Sequence, residues 1–300
     1  MGDAARSEAV EGRSDQRGVA LIAVVGFLAV MSIIAIGVVG ASRTSMVNTS
    51  RHLLRVQAQA AVESAVNTAI ADLVAARDVL PDAALAPRRL PVGDFVVSVA
   101  VRSEYAKVDL NHADANLLAI LFRAGGAGLD KAQALAAAVE DWRDGDDLLH
   151  LNGAERRQYA EAGRGYAPAN AYFKSVDELG LVLGMTPALF ACVRPEVTIF
   201  AQRPGIDIEN AAPRMREAAG VGDPVGDGQS SLAAMRALAP GDVFEITARV
   251  DDTARNIRRA HRVIVHITGN TQAPYWILHK EAANPIDDAG KRHCPKPGPG

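Results

Sequence analysis

The side chains with the greatest capacity for chemistry form an acidic stretch in the middle of the chain. Four aspartates surround a glycine and a glutamate follows them, at Asp141, Asp144, Asp146, Asp147 and Glu155. Carboxylates so close together repel one another unless a positive charge binds among them. Calcium takes six to eight oxygen ligands in flexible geometry, which one loop can supply. The spacing does not match an EF-hand, and the alternative is a solvated acidic loop between two helices.

The other reactive side chains form no catalytic pattern. None of the seven histidines stands at metal-ligand spacing from a carboxylate or cysteine on the same element, and His266 is predicted at the surface of a strand. No serine lies in a nucleophile-elbow context. Cys192 and Cys294 could pair in an oxidising compartment or remain two free thiols. We therefore predict no enzymatic activity and no organic cofactor, with Trp142 and Trp276 as core or interface anchors.

The element that begins the chain is apolar. From Val19 to Val39 there is no charge and no proline. As a helix this segment would span roughly 30 Å, about the thickness of the hydrocarbon core of a bilayer. A single segment can satisfy its backbone in lipid only as a helix. We predict a transmembrane helix over 19–40 that continues as an amphipathic helix over 41–80, because apolar residues recur there at helical spacing.

Strands are predicted on either side of a helical block. β-branched residues predict the first strand, from Val92 to Val101. Alternating apolar residues predict three more over 242–250, 262–268 and 275–279, which suits antiparallel strands with one face on the helix. Helical patterns fill the block between them, over 115–123, 130–142, 154–162, 175–183 and 187–191. The fold class is therefore α+β.

Charge and composition limit the partners. The chain of 300 residues is 49% hydrophobic and carries a formal net charge of −3, so it has no basic field that attracts nucleic acid. One competing interpretation remains, an anchored extracytoplasmic protein with a nucleic-acid-binding module. The segment from Asp109 to Asn111, together with a glycine-rich turn from Gly125 to Gly128, faintly resembles a helix-hairpin-helix motif. The acidic neighbours and the predicted export argue against it.

Several motifs in combination resemble the K-type minor pseudopilin of type II secretion systems. They are Arg17-Gly18-Val19-Ala20-Leu21-Ile22 at the cleavage site, Val108-Asp109-Leu110-Asn111 at the start of the helical block, the acidic stretch followed by Gly153-Ala154-Glu155 and Tyr159, Ala169-Asn170, Ser175-Val176-Asp177-Glu178-Leu179, and Pro274-Tyr275-Trp276-Ile277-Leu278.

The resemblance implies a type IV pilin-like fold, a long N-terminal helix packed on an antiparallel sheet, with a large all-α insert between strands. The domains would be a leader over 1–18, the helix, a first α/β part over 90–108, the insert over 109–238, closing strands over 239–282 and a disordered tail over 283–300. The glycine-rich part of the insert, 210–238, departs from the family pattern and is interpreted as a surface linker.

The resemblance also implies processing, a metal and partners. A prepilin peptidase would cut between Gly18 and Val19, and the new amine of Val19 would be methylated. Ala23 stands where most pilins carry a glutamate, which suits a subunit at the filament tip. Relatives are similar in binding calcium in the helical domain, which favours Asp141, Asp144, Asp146 and Glu155 as ligands, with Asp147 pointing to solvent.

The expected partners are the I-type and J-type minor pseudopilins, the major pseudopilin and the inner-membrane assembly platform. The protein would cross the bacterial inner membrane once, with its C-terminal domain in the periplasm.

Overall fold

The computed structural model describes residues 15–76, 85–221, 242–282 and 294–295, without the side chains of 15–19 and 37–50. The predicted leader and tail lie almost entirely outside these residues, as does most of the predicted linker. The chain divides into two compact units, Met1–Gln57 and Ala58–Gly300. Each unit is described separately below.

The first unit contains most of one long helix, α1, which spans Asp15–Ala75 and continues through Gly40. Between residues 20 and 36 its large apolar side chains, such as Phe27 and Ile33, are exposed. In the part of the chain that the structure describes, no helix has the length and apolarity that a membrane crossing requires. The span from Val19 to Val39 therefore stays a prediction.

The second unit begins where α1 starts to bury one face. Its buried residues recur every three or four positions, as one face of a helix requires, at Ala58, Ala61, Val62, Ala65, Val66, Ala69, Ile70 and Leu73. Polar contacts at the edge of this face join the helix to strand residues. Gln59 Nε2 lies 2.7 Å from His261 Nε2, and Lys280 Nζ lies 3.4 Å from Glu63 Oε1.

The described residues form seven strands. They are β1 (Arg88–Val92), β2 (Phe95–Ser103), β3 (Val108–Asp109), β4 (Val197–Thr198), β5 (Val243–Asp252), β6 (Ile257–Ile267) and β7 (Tyr275–Ala282). Five of these make one antiparallel sheet in the order β1-β2-β5-β6-β7. The prediction of a helix combined with an antiparallel sheet is confirmed.

Strand β1 is missing from the sequence prediction. It contains two arginines and Pro91, which lower its β-propensity, and Pro91 fits because β1 lies at the edge of the sheet. Gly93 adopts a φ of 55° in the turn to β2, a conformation that glycine reaches without strain.

The sheet is interrupted between β2 and β5 by a helical block with its own core. Its helices are α2 (Ala115–Ala124), α3 (Leu129–Arg143), α4 (Arg156–Glu161), α5 (Pro187–Val193) and α6 (Pro213–Ala218). A single apolar cluster links them, and Leu118, Phe122 and Leu135 are almost fully buried within it. The all-α insert is not confirmed, because β3 and β4 pair in parallel inside the block.

The block leaves the sheet and returns to it at neighbouring positions. Ser103, the last residue of β2, is paired with Phe244 of β5. A disulfide joins Cys192 of α5 to Cys294, with a Cα–Cα distance of 5.8 Å. The sequence left the pairing of these cysteines open, and the structure pairs them. The neighbouring residue, Pro295, lies against Gly126 and accepts a hydrogen bond from the Arg214 side chain.

Candidate metal centre

The C-terminal end of α3 places Asp141 inside the helical block. Leu135, Ala138 and Trp142 recur at helical spacing on the buried side of α3, and Asp141 lies on the same side with no exposed surface. A carboxylate without solvent is costly unless it is paired or hydrogen-bonded.

The loop after α3 folds back over Asp141. The His150 backbone N–H donates to Asp141 Oδ1 at 3.1 Å, and the His150 ring nitrogen Nδ1 contacts the same oxygen. A Cβ added at Gly153 would lie only 2.0 Å from Asp141 Oδ2. The absence of a side chain at Gly153 therefore allows the loop to come this close to the carboxylate.

Glu155 brings a second buried carboxylate to the same place. It precedes α4, where its backbone N–H donates to Gln158 Oε1 at 3.1 Å. Asp141 Oδ2 and Asp144 Oδ1 are buried and have no hydrogen-bond partner among the described residues. The Glu155 carboxylate is also buried, next to the backbone N–H groups that begin α4. Leaving buried acceptors unpaired costs stability.

Burial, hydrogen bonding and neighbouring negative charge raise three pKa values in the cluster. Loss of solvent, followed by the charges of Asp146 and Asp141, raises the pKa of Asp144. Loss of solvent also raises the pKa of Glu155, with the charges of Asp141 and Asp144 adding to it. The hydrogen bond to Asp141 raises the pKa of His150. Loss of solvent is thus the main cause of the shifts of the two carboxylates, and neighbouring negative charge adds to them.

The donor set fits a hard cation. Carboxylate oxygens are the ligands that calcium prefers. Of the four predicted ligands, the structure brings oxygens of Asp141 and Asp144 within 4.8 Å of each other, and Glu155 lies near enough for its charge to interact with both. Asp146 is exposed and its Oδ1 accepts a hydrogen bond from the Leu148 N–H at 2.8 Å. The role of Asp146 as a ligand stays a prediction, as do the other three. Asp147 is exposed, with Oδ1 3.0 Å from Asn170 Nδ2.

Sequence reasoning missed His150. Ligand atoms of Asp141, Asp144 and His150 all lie within 4.8 Å of one another. His150 comes nine residues after Asp141 and lies on a loop, so a search for spacing within one helix or strand does not find it. The signal that could have found it is its position between the aspartates and Gly153 on a short connection.

Aromatic side chains pack together next to Asp141. Trp142 stacks on Phe173 at a centroid distance of 5.9 Å and lies 6.1 Å from Tyr159. Burial raises the pKa of Tyr159 to about 12, and its hydroxyl accepts a hydrogen bond from the Leu183 N–H at 3.0 Å. Trp142 is therefore a core residue. Trp276, by contrast, is 61% exposed.

Without calcium, the site is expected to make the protein less stable as the pH rises. The raised pKa of His150 stabilises the fold below the ordinary value of 6.5, and this contribution disappears as the pH passes the raised value. The raised pKa values of Asp144 and Glu155 act in the same direction, at a pH range that starts from their ordinary values of 3.8 and 4.5, because the folded state holds their protons more tightly than the unfolded state does. The melting temperature in EDTA should therefore fall as the pH rises above 6.5 and His150 loses its proton.

The variant His150→Gln should show a smaller fall, because it removes the imidazole that contacts Asp141. Excess calcium should reduce the fall by neutralising the carboxylates. A melting temperature that rises with pH in EDTA would contradict this account of the site.

The glycine-rich turn does not suit phosphate binding. A Cβ at Gly125 would meet Leu189 and Val193 of α5 at 2.6 Å, and Pro295 covers Gly126. Helix-hairpin-helix motifs hold phosphate with exposed backbone N–H groups of such a turn. Because α5 and the residue after Cys294 occupy this space, the geometry argues against the nucleic-acid interpretation.

A cleft with a volume of about 1000 Å³ lies between the sheet and the helical block. Many of its charged side chains pair with one another. Lys107 Nζ lies 2.6 Å from Glu104 Oε1 and 3.0 Å from Glu245 Oε2, and Arg262 Nη1 lies 2.9 Å from Glu281 Oε1. The pair Lys107–Glu245 connects the start of the block to β5, and the pair Arg262–Glu281 connects β6 to β7.

Comparison with known proteins gives three findings. The family model described as "Type II secretion system (T2SS), protein K" matches residues 99–202. Type II secretion system protein K of Klebsiella pneumoniae is 29% identical, and that of Pectobacterium carotovorum subsp. carotovorum is 27% identical, each over 62% of this chain. The matched part spans 63% of the length of each relative.

The third finding concerns the fold. A chain of the crystal structure of the GspK-GspI-GspJ complex from the type 2 secretion system of enterotoxigenic Escherichia coli is similar, with a TM-score of 0.54 and 16% identity. The match covers 81% of this chain and 99% of that one. The resemblance to K-type pseudopilins is confirmed.

Proposed function

We propose that the chain is a K-type minor pseudopilin, a non-enzymatic subunit at the tip of the periplasmic pseudopilus of a type II secretion system. The observation that carries the proposal is the match of residues 99–202 to the protein K family, because this range contains the whole acidic cluster. The shared fold supports it independently. The proposal includes a type IV pilin-like arrangement of helix and sheet.

The mechanism is assembly. The apolar part of α1 would anchor the precursor in the inner membrane, with the C-terminal domain in the periplasm, and later pack with helices of neighbouring subunits. The I-type and J-type minor pseudopilins would complete the tip, which initiates growth of a filament of the major pseudopilin from the assembly platform. The helical block widens the head, so the subunit can cap a filament but cannot be stacked within it.

Calcium would act as a structural ion in this head. The carboxylates of Asp141, Asp144 and Glu155 would hold it, with Asp146 as the remaining predicted ligand. When bound, the ion supplies the positive charge that these buried carboxylates lack. The residues around it keep the loop closed over α3 through His150 and Gly153.

The first test of the proposal is the mass of the membrane-extracted protein, from cells with and without a prepilin peptidase. The expected mature chain begins at Val19 and carries one methyl group, and it disappears without the peptidase. The variant Gly18→Val should remain at full length, because a bulky side chain does not fit a site that selects glycine. The matched variant Gly26→Ala should be processed normally, since a Cβ at Gly26 meets nothing within 4 Å.

An intact Met1 in peptidase-containing cells, or a cut beyond Val39, would contradict the pseudopilin proposal. Normal processing of Gly18→Val would contradict the assigned cleavage site.

A further inference from the structure

Three leucines on the loop after α3 face solvent. Leu148 is 74% exposed, Leu149 is 51% exposed and Leu151 is 89% exposed. We call residues 148–151 the leucine loop. Single exposed leucines are ordinary on protein surfaces, but a group of three within four residues is the kind of apolar patch that marks an interaction site.

Hydrogen bonds hold the leucine loop in one conformation. The Leu148 N–H donates to Asp146 Oδ1 at 2.8 Å, and the His150 N–H donates to Asp141 Oδ1 at 3.1 Å. Beyond the loop, the Gly153 N–H donates to His150 O at 2.9 Å. The leucines are therefore exposed by an ordered backbone, which reduces the entropy lost when a partner binds.

The side chain of Asn170 fixes the segment that precedes the loop. Its Nδ2 donates to the Asp146 carbonyl oxygen at 2.9 Å and to Asp147 Oδ1 at 3.0 Å. The side chains of Asp146 and Asp147 are themselves exposed. The loop thus combines a rigid apolar surface with adjacent negative charge.

The negative charge next to the leucine loop determines which kind of partner can bind there. An anionic lipid surface would be repelled by Asp147, which is exposed and is not among the proposed calcium ligands. A second copy of the same loop would bring like charges together. A groove that is apolar inside and basic at its rim complements both the leucines and the aspartates. Because the backbone of the loop is fixed, the loop suits one partner of unchanging sequence and shape better than a series of different partners.

We propose that the leucine loop inserts into an apolar groove, rimmed by lysine or arginine side chains, on a neighbouring subunit of the pseudopilus tip. This inference rests on the proposed function and deepens it, since it assigns a contact surface on the helical block. The acidic cluster then has a second role, because the carboxylate of Asp141 that would bind calcium also holds the backbone of the loop.

The test is a binding titration of the full-length chain in detergent with the purified I-type and J-type pseudopilins of the same bacterium. The variant Leu148→Ser/Leu149→Ser/Leu151→Ser should bind at least about a hundredfold more weakly, because burial of each leucine is worth roughly a factor of ten or more. The control is Leu129→Ser/Leu181→Ser/Val221→Ser, which replaces three other exposed apolar residues of the helical block. It should bind like the wild type, and binding of the wild type should weaken as salt is added.

Equal binding by the leucine-loop variant and the wild type would overturn the inference and leave the proposed function intact. Failure of the wild type to bind either pseudopilin would count against the proposed function and would remove this inference with it. The same proteins should be mixed with phosphatidylglycerol vesicles. Vesicle binding that disappears in the leucine-loop variant would overturn the choice of a protein partner.

Discussion

Replacing Cys192 and Cys294 by serine is expected to lower the free energy of unfolding by about 4.7 kcal/mol, the value for closure of a loop of about 100 residues. The disulfide joins positions 102 residues apart, and it ties α5 to the segment that contains Pro295. Its main effect is on the unfolded chain, which loses conformational freedom when the two ends are linked. Chemical denaturation of the double variant and the wild type without reductant measures the difference.

Reductant provides the control for this measurement. Wild-type protein treated with dithiothreitol should match the double variant, and the double variant should not respond to dithiothreitol. Maleimide labelling of native, untreated protein should find no free thiol. Two reactive thiols, or equal stability of the two proteins, would contradict the pairing and return the cysteines to the alternative that the sequence left open.

The second large effect is expected at Asp141. If calcium is the ion, a concentration 100 times the dissociation constant should stabilise the wild type by about 2.7 kcal/mol. The variant Asp141→Asn keeps the size of the side chain and an acceptor for the His150 N–H, but it removes the charge at the centre of the cluster. We expect it to lose the stabilisation by calcium. Thermal unfolding with calcium and with EDTA measures both proteins.

A matched variant lies on the same helix. Asp130 is exposed in the first turn of α3, so Asp130→Asn should keep the full response to calcium. Isothermal titration of the metal-free proteins should show the same contrast. A response of Asp141→Asn equal to that of the wild type would exclude Asp141 as a ligand.

The predictable part of the fold is the part with a regular pattern. Alternating apolar residues predicted β5, β6 and β7, and helical spacing predicted α2 and α3 almost to the residue. The strand β1 was missed because Pro91 and two arginines contradict local β-propensity, and its place at the sheet edge makes them acceptable. The helix α6 was missed because it is short and lies in a glycine-rich segment.

The candidate site was predictable in composition but not in geometry. The four aspartates and the glutamate predicted a cluster of negative charge. The sequence could not show that Asp141 and Glu155 are buried while Asp146 is exposed, because this depends on how the loop returns over α3. It also could not show the contact of His150 with Asp141, which arises from the tertiary fold and not from spacing along one element.

The pairing of Ser103 with Phe244 has a consequence for how such proteins can diverge. Antiparallel neighbours of this kind are ordinarily joined by a turn of two to five residues. The segment from Glu104 to Asp242 therefore occupies the place of a hairpin turn, and its removal would leave the strand order unchanged. The helical block could therefore be enlarged, shortened or replaced, in evolution or by design, while the strands of the sheet keep their pairing.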